Sequence, residues 1–446
     1  MFERIRKQFF DLKREEWPTA LALSLFFFLV IAVFWVLKPI KRGVLISQYA
    51  QESLNLLGWT LSGSEAEQLG KVLNMVVAYG IVIVYTLVVR HFSRTYVVTI
   101  FAAVLSLCLI GFTPVIGDPG AGVAWSFYVF GDMFNTIMVA TFWAFTNDIT
   151  TSEQSKRLYG IVGLGGVVGG FVGATVVRTR VQDIGREPLL LACVGALAVI
   201  VGIVFFVRTC CARGEYGETP SPTSGKEEHS VSAASEGARL VFQSKYLLAI
   251  LGLIGFYEIV SNIVDFQLAT VIEQSVQDPD ARAAYFGLVG QVTGIGSIVI
   301  QLLVTSFVMN RFGVGVALLF LPAAILMGTI GFLVMPTLAF ATAMSASDNS
   351  LNYSINQSAK EALYTPCSRD VKYKAKAFID MFVQRFAKVL AVALNLIFAA
   401  FVGLAGVRWL SIASLVVLVF WIGVVRYAGR RFREQAEDPS AAVTAS

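Results

Sequence analysis

The sequence predicts an all-α polytopic membrane protein of about twelve transmembrane helices in two six-helix halves. Three observations carry this. Hydrophobic residues make up 56% of the 446 and mean hydropathy is +0.70, above the ~45–50% apolar share of soluble domains. Apolar runs recur along the chain, each about as long as the ~20 residues that cross the hydrocarbon of a bilayer. Backbone groups in lipid must bond internally, so such runs are helices. A polar stretch then divides them in the middle.

The spans are expected near 18–40, 70–90, 95–116, 123–148, 157–177 and 188–208, then near 246–272, 283–309, 313–335, 337–362, 372–404 and 406–428. Residues 209–236, rich in Ser, Glu, Gly and Pro, read as a hydrated linker. The expected organisation is a first bundle over 1–208, that linker, a second bundle over 237–428 and a tail over 429–446. Six spans on each side of a linker resemble the major facilitator layout, two halves around a central cavity.

Lys and Arg set the orientation. With both termini in the cytoplasm, the inner side holds Arg4, Arg6, Lys7, Arg90, Arg94, Lys156, Arg157, Arg208, Lys245, Arg311 and the tail arginines. The outer side keeps Lys41, Arg42, Lys71, Arg178, Arg180, Arg186, Arg282 and Arg408. The net charge of +5 is therefore mostly a topology signal, and a nucleic-acid partner is not expected. The first sixteen residues, with five basic and four acidic side chains, read as an amphipathic cytoplasmic helix rather than a cleaved signal. The five cysteines form no CxxC pair, and both histidines fall in cytoplasmic segments. No metal site, cofactor motif or catalytic triad is expected, so the chain does not read as an enzyme.

Four charges stand out because they lie in or at the ends of apolar spans: Lys41, Asp132, Asp265 and Lys376. A charge at mid-bilayer costs roughly 2.5–3.5 kcal/mol on insertion scales, so such residues mark a polar pathway. Cations in both halves suit an anionic cargo. Span five is dense in glycine, from Gly160 through Gly173. It lacks the Lys of a phosphate loop, and Val168 occupies the third glycine position of a dinucleotide motif. Close helix packing is the simpler reading. Span ten is the most polar, and Asp348, Asn352, Asn356 and Lys360 share one helical stripe. A cavity wall and polar contacts between helices both fit that stripe; the cavity wall fits better. Amides do not name a cargo.

Residues 360–380 read Lys360-Glu361, Tyr364-Thr365-Pro366, then Asp370, Lys372, Lys374, Lys376, Ile379 and Asp380. This resembles the ATP/ADP translocases of intracellular bacteria and plastids. Leu37-Lys38-Pro39-Ile40-Lys41 stands where that family has Leu-Arg-Asp-Thr-Lys. The run Trp143, Phe145, Asn147, Ile149 and Thr150, followed by Lys156, Arg157, Tyr159 and Gly163-Leu164-Gly165, is similar too. The resemblance places the family's two transport-critical lysines on Lys41 and Lys376 and its two glutamates on Asp132 and Asp265. Lys38 replaces an arginine, and Gln357-Ser358-Ala359 replaces Asp-Pro-Cys.

The function this implies is a membrane transporter of nucleotides, ATP/ADP or related, working by alternating-access exchange. The expected cargo contacts are Lys38, Lys41, Asp132, Asp265, Asn352, Asn356, Lys360 and Lys376. Asp132 and Asp265 are expected to balance Lys41 and Lys376 in the empty cavity. Phe130, Phe134, Tyr257 and Phe266 are candidates to stack on a base. The expected setting is the inner membrane, as a multi-pass monomer without a cofactor. Two alternatives remain: a carrier of another organic anion, with proton coupling through Asp132 or Asp265, and a non-transporting membrane protein of this fold.

Overall fold

Helix α1, Trp17–Gln51, begins with Pro18 in its first turn, where a missing N–H costs nothing. Its 35 residues rise ~52 Å, well beyond the ~30 Å of hydrocarbon. The helix passes the expected end of the first span because Lys41 and Arg42 find carboxylate partners inside the protein. Pro39 lies inside it. Beyond it, Leu54–Leu56 (β1) and Trp59–Leu61 (β2) pair antiparallel, Leu54 opposite Leu61, with Gly58 in the turn at φ 87°.

The computed structural model describes residues 14–56, 58–211, 238–367, 375–376 and 378–437. The first thirteen of the sixteen residues expected as an N-terminal amphipathic helix, nearly all of the 209–236 linker, and Asp370, Lys372 and Lys374 lie outside them.

The first-half helices continue with α2, Gly63–His91; α3, Arg94–Phe112; α4, Ala121–Ile149; α5, Ser152–Ile184; and α6, Arg186–Phe206. Capping boxes start two of them. At α2 the Ser62 amide donates to Glu65 Oε2 at 2.8 Å. At α5 the Thr151 and Gln154 side chains each satisfy the other's backbone amide. The second half holds α7, Lys245–Ser275; α8, Pro279–Val299, running through a π turn into α9, Ser306–Phe312; α10, Val314–Ala317; and α11, Phe320–Val334. It ends with α12, Leu338–Leu351; a π turn, Asn352–Asn356; α13, Gln357–Leu363; α14, Gln384–Val402; and α15, Leu410–Glu437.

Eleven of the described helical stretches are long and apolar enough to cross a membrane. The expected tenth span is the continuous polar run α12, π turn and α13. Its helix is present, but its Ser, Asn and Lys content keeps it outside that set.

The chain packs as two units, Met1–Pro220 with Val276–Gly294, and Ser221–Ser275 with Ile295–Ser446. In the first, α1 lies along α5, and the expected reason holds. A Cβ on Gly165, Gly169 or Gly173 would fall 2.4, 2.3 or 2.3 Å from the carbonyl oxygen of Ser24, Phe28 or Ala32. These three residues, four apart on α5, thus have to be glycine for the backbones to meet. On another face of α1, Phe26 meets Phe142 edge-on, with ring centroids 4.9 Å apart. In the second unit α7 packs on α12, α14 and α15, with Tyr257 against Trp421.

Candidate substrate site

In the first unit, α1 brings Lys41 to Asp132 of α4, with Nζ 2.5 Å from Oδ1. The lysine side chain is 5% exposed and the carboxylate 39%. The pair is thus half-open: the cation is enclosed and the anion faces outward. Asn74 of α2 donates to the other Asp132 oxygen, holding the carboxylate in place. The Lys41 ammonium also sits 4.3 Å from the centroid of the Tyr128 ring, a contact favoured by the ring quadrupole. Gly131 makes room for the lysine stem, since a Cβ there would lie 2.7 Å from Lys41 Cδ. One turn back, Lys38 lies over Trp35 at 4.5 Å. Beside this group Arg42 makes a forked contact to Glu67, 2.5 and 3.1 Å, and both residues are buried.

In the second unit the polar stripe holds together. Asn356 donates to Asn352 Oδ1 at 3.0 Å, and the Lys360 ammonium reaches the same oxygen at 3.5 Å. Lys360 also lies 5.3 Å from the Tyr257 ring. Asp348 leaves the stripe and accepts from Ser261 of α7 at 2.6 Å. Asp265, half-buried, sits further along α7. Lys376 is bound by both oxygens of Glu361 at 2.7 Å.

Two expectations change. The counter-charge of Lys376 is Glu361, not Asp265, because a residue at the end of α13 comes within reach when the chain returns at 375–376. The aromatic candidates are mostly core: Phe134 and Phe266 are 0% exposed and Phe130 5%. They are consumed by packing and present no face for a base, whereas Tyr257 keeps a polar neighbour in Lys360. Sequence reasoning also passed over Glu258 and Lys388, which pair at 3.6 Å. The signal was available, since each is a charge inside an apolar span. Among the described residues no three His, Cys, Asp or Glu side chains are grouped as a metal requires.

Paired lysines and carboxylates on helices of this length and hydropathy define a polytopic membrane protein with internal charged sites of the kind carriers use. The fold is similar to that of solved transporters. A bacterial homologue of the iron transporter ferroportin, in its inward-facing state, matches with TM-score 0.64 at 8% identity, covering 94% of this chain and 100% of that one. The chain belongs to the TLC ATP/ADP transporter family, which it matches over residues 123–348 and 334–432. Lys38 and Lys41 precede the matched residues.

Among curated relatives, "ADP,ATP carrier protein 1, chloroplastic" of Arabidopsis thaliana is 25% identical over 68% of this chain and 53% of its own length. "ADP,ATP carrier protein 1" of Chlamydia muridarum is 23% identical over 59% of this chain and 56% of its own. The chain spans about half the length of these relatives.

Proposed function

We propose that the protein carries nucleotides across a membrane, exchanging ATP for ADP or a related pair by alternating access. The observation that carries this reading is Lys41, a cation enclosed within a bundle of the ATP/ADP transporter family and balanced by one half-exposed carboxylate. Such a cation holds a phosphate well once its carboxylate yields. Lys376, held by Glu361, supplies a second such point. Lys38, Lys360, Asn352 and Asn356 then position the remaining phosphates and the nucleoside. Asp132 competes with the cargo for Lys41 and so eases release, and Asp265 adds negative charge beside Asp348 in the second unit.

The same reading places the chain in an inner membrane as a monomer, with both termini and the 209–236 linker in the cytoplasm. Nucleotide gradients drive the exchange, and no hydrolysis and no nucleic acid take part.

The test is uptake of labelled ATP into liposomes preloaded with ADP. The wild type exchanges, and Lys41→Ala and Lys376→Ala each lose most uptake while the folded yield is retained. Exchange that survives both substitutions refutes the site. Uptake of other organic anions in preference to nucleotides refutes the cargo.

A further inference from the structure

Asp348 is 1% exposed. One carboxylate oxygen accepts the Ser261 hydroxyl at 2.6 Å. The other, Oδ1, is fully enclosed and has no hydrogen-bond partner. An ionised carboxylate in that position is held by a single neutral donor. That is far less than the paired and multiply bonded setting in which buried charge is tolerated.

Other titratable groups lie around it. From α7, the helix that supplies Ser261, Glu258 and Asp265 act on Asp348 as like charges, and Tyr257 faces it. Its own helix, continued through the π turn, brings Tyr353 and one cation, Lys360. Helix α11, packed against α12, carries no titratable side chain. Lys360 is itself shared with Glu258, Asn352 and the Tyr257 ring. Glu258 is in turn paired with Lys388 at 3.6 Å, so what an ionised Asp348 lacks is a donor for its orphaned oxygen.

We infer that Asp348 is a proton-binding site of the carrier, occupied in the conformation described here and linked to cargo binding through Lys360. The reaction is addition of a proton from solvent to Oδ1, which forms an O–H bond and takes the side chain from −1 to neutral. The link to cargo rests on the nucleotide reading proposed above. When an anionic phosphate engages Lys360, a positive field that favours ionised Asp348 is weakened, and the proton is held more tightly. Linkage is reciprocal, so a protonated Asp348 strengthens nucleotide binding by the same factor. Affinity therefore rises as pH falls, and nucleotide binding takes up protons where Asp348 is partly ionised. None of this involves Asp132, whose carboxylate is half-open and already paired.

The experiment has two arms on the purified full chain. The first needs no nucleotide. Infrared difference spectra against pH should show the carbonyl stretch of a protonated carboxylic acid. The band should vanish in Asp348→Asn and move to higher frequency in Ser261→Ala, where the hydroxyl no longer bonds the group. A wild type without the band, or a band that persists in Asp348→Asn, overturns the assignment. If Asp348→Asn does not fold, the Ser261→Ala shift decides the same point, and an unmoved band overturns it.

The second arm is calorimetric titration with ADP, at the pH where the infrared band is half-developed, in buffers of different ionisation enthalpy. The wild type should take up a larger fraction of a proton per ADP than Asp348→Asn, the phosphate's own titration cancelling in the difference. Asp348→Asn should bind ADP with an affinity less dependent on pH. Equal proton uptake in both refutes the linkage. Absence of ADP binding with the infrared band intact refutes the cargo and leaves the proton site standing.

Discussion

Replacing Gly169 by Ala tests how α1 is held. The added methyl would start 2.3 Å from the Phe28 carbonyl oxygen and about 3.0 Å from its carbonyl and α carbons. Carbon normally approaches a carbonyl oxygen to ~3.3–3.6 Å, so α1 and α5 must part by ~1 Å. The obstacle is backbone on both sides, and no side chain can rotate away. Overpacking of this kind costs ~1–3 kcal/mol. Gly163, on the same helix, has nothing within 4 Å of its virtual Cβ. There Ala should gain ~0.8–1.0 kcal/mol of helix propensity. The two substitutions, identical in chemistry and six residues apart, share that gain and should differ by the overpacking cost, ~1–3 kcal/mol.

Thermal unfolding in detergent reads that difference as several degrees in Tm, with Gly163→Ala at or above wild type and Gly169→Ala below it. Gly169→Ala should also slow ATP/ADP exchange, because the helix it displaces carries Lys38 and Lys41. Equal melting temperatures for the two variants would refute the backbone-contact argument, whatever happens to transport.

Two other outcomes follow. Removing one partner of the buried Arg42–Glu67 pair, as in Glu67→Met, should destabilise the protein by ~3–5 kcal/mol, while Arg42→Met with Glu67→Met should recover much of it; a double variant less stable than either single one would contradict this, as read by Tm in detergent. Asp132→Asn and Glu361→Gln should slow nucleotide exchange in liposomes by more than they change nucleotide affinity, since each frees a lysine to hold its cargo; weakened binding with normal turnover of bound nucleotide would show that the carboxylates do not balance the lysines.

The helices were legible in the sequence because lipid imposes them: a backbone that cannot bond to water must bond to itself, and hydropathy reports where. Lys41 and Asp132 were legible for a related reason, each being a charge where desolvation is costly. That argument is local to a span. It names a residue that needs a partner and says nothing of which partner lies across the bundle. Hence Glu361 took the place expected for Asp265, and Glu258 with Lys388 went unremarked. The β1–β2 hairpin was hidden because its short strands sit beside a helix that outruns the bilayer. Phe134 and Phe266 misled because an aromatic beside a carboxylate in sequence points elsewhere on the helix.

Pro39 in α1 has a consequence for motion. A proline has no amide hydrogen, so the carbonyl of Trp35, four residues earlier, lacks its usual backbone donor. This gap spans Trp35 to Pro39, with Lys38 inside it and Lys41 just beyond it. A helix that bends elsewhere must first break a hydrogen bond in a medium that offers no replacement. Here that bond is already absent, and α1 has a built-in hinge. The segment from Ile40 to Gln51, bearing Lys41 and anchored by Tyr49 to Trp125, can change its angle to the glycine-clamped segment before it. The cation can then swing with its end of the helix while the rest of α1 stays locked against α5.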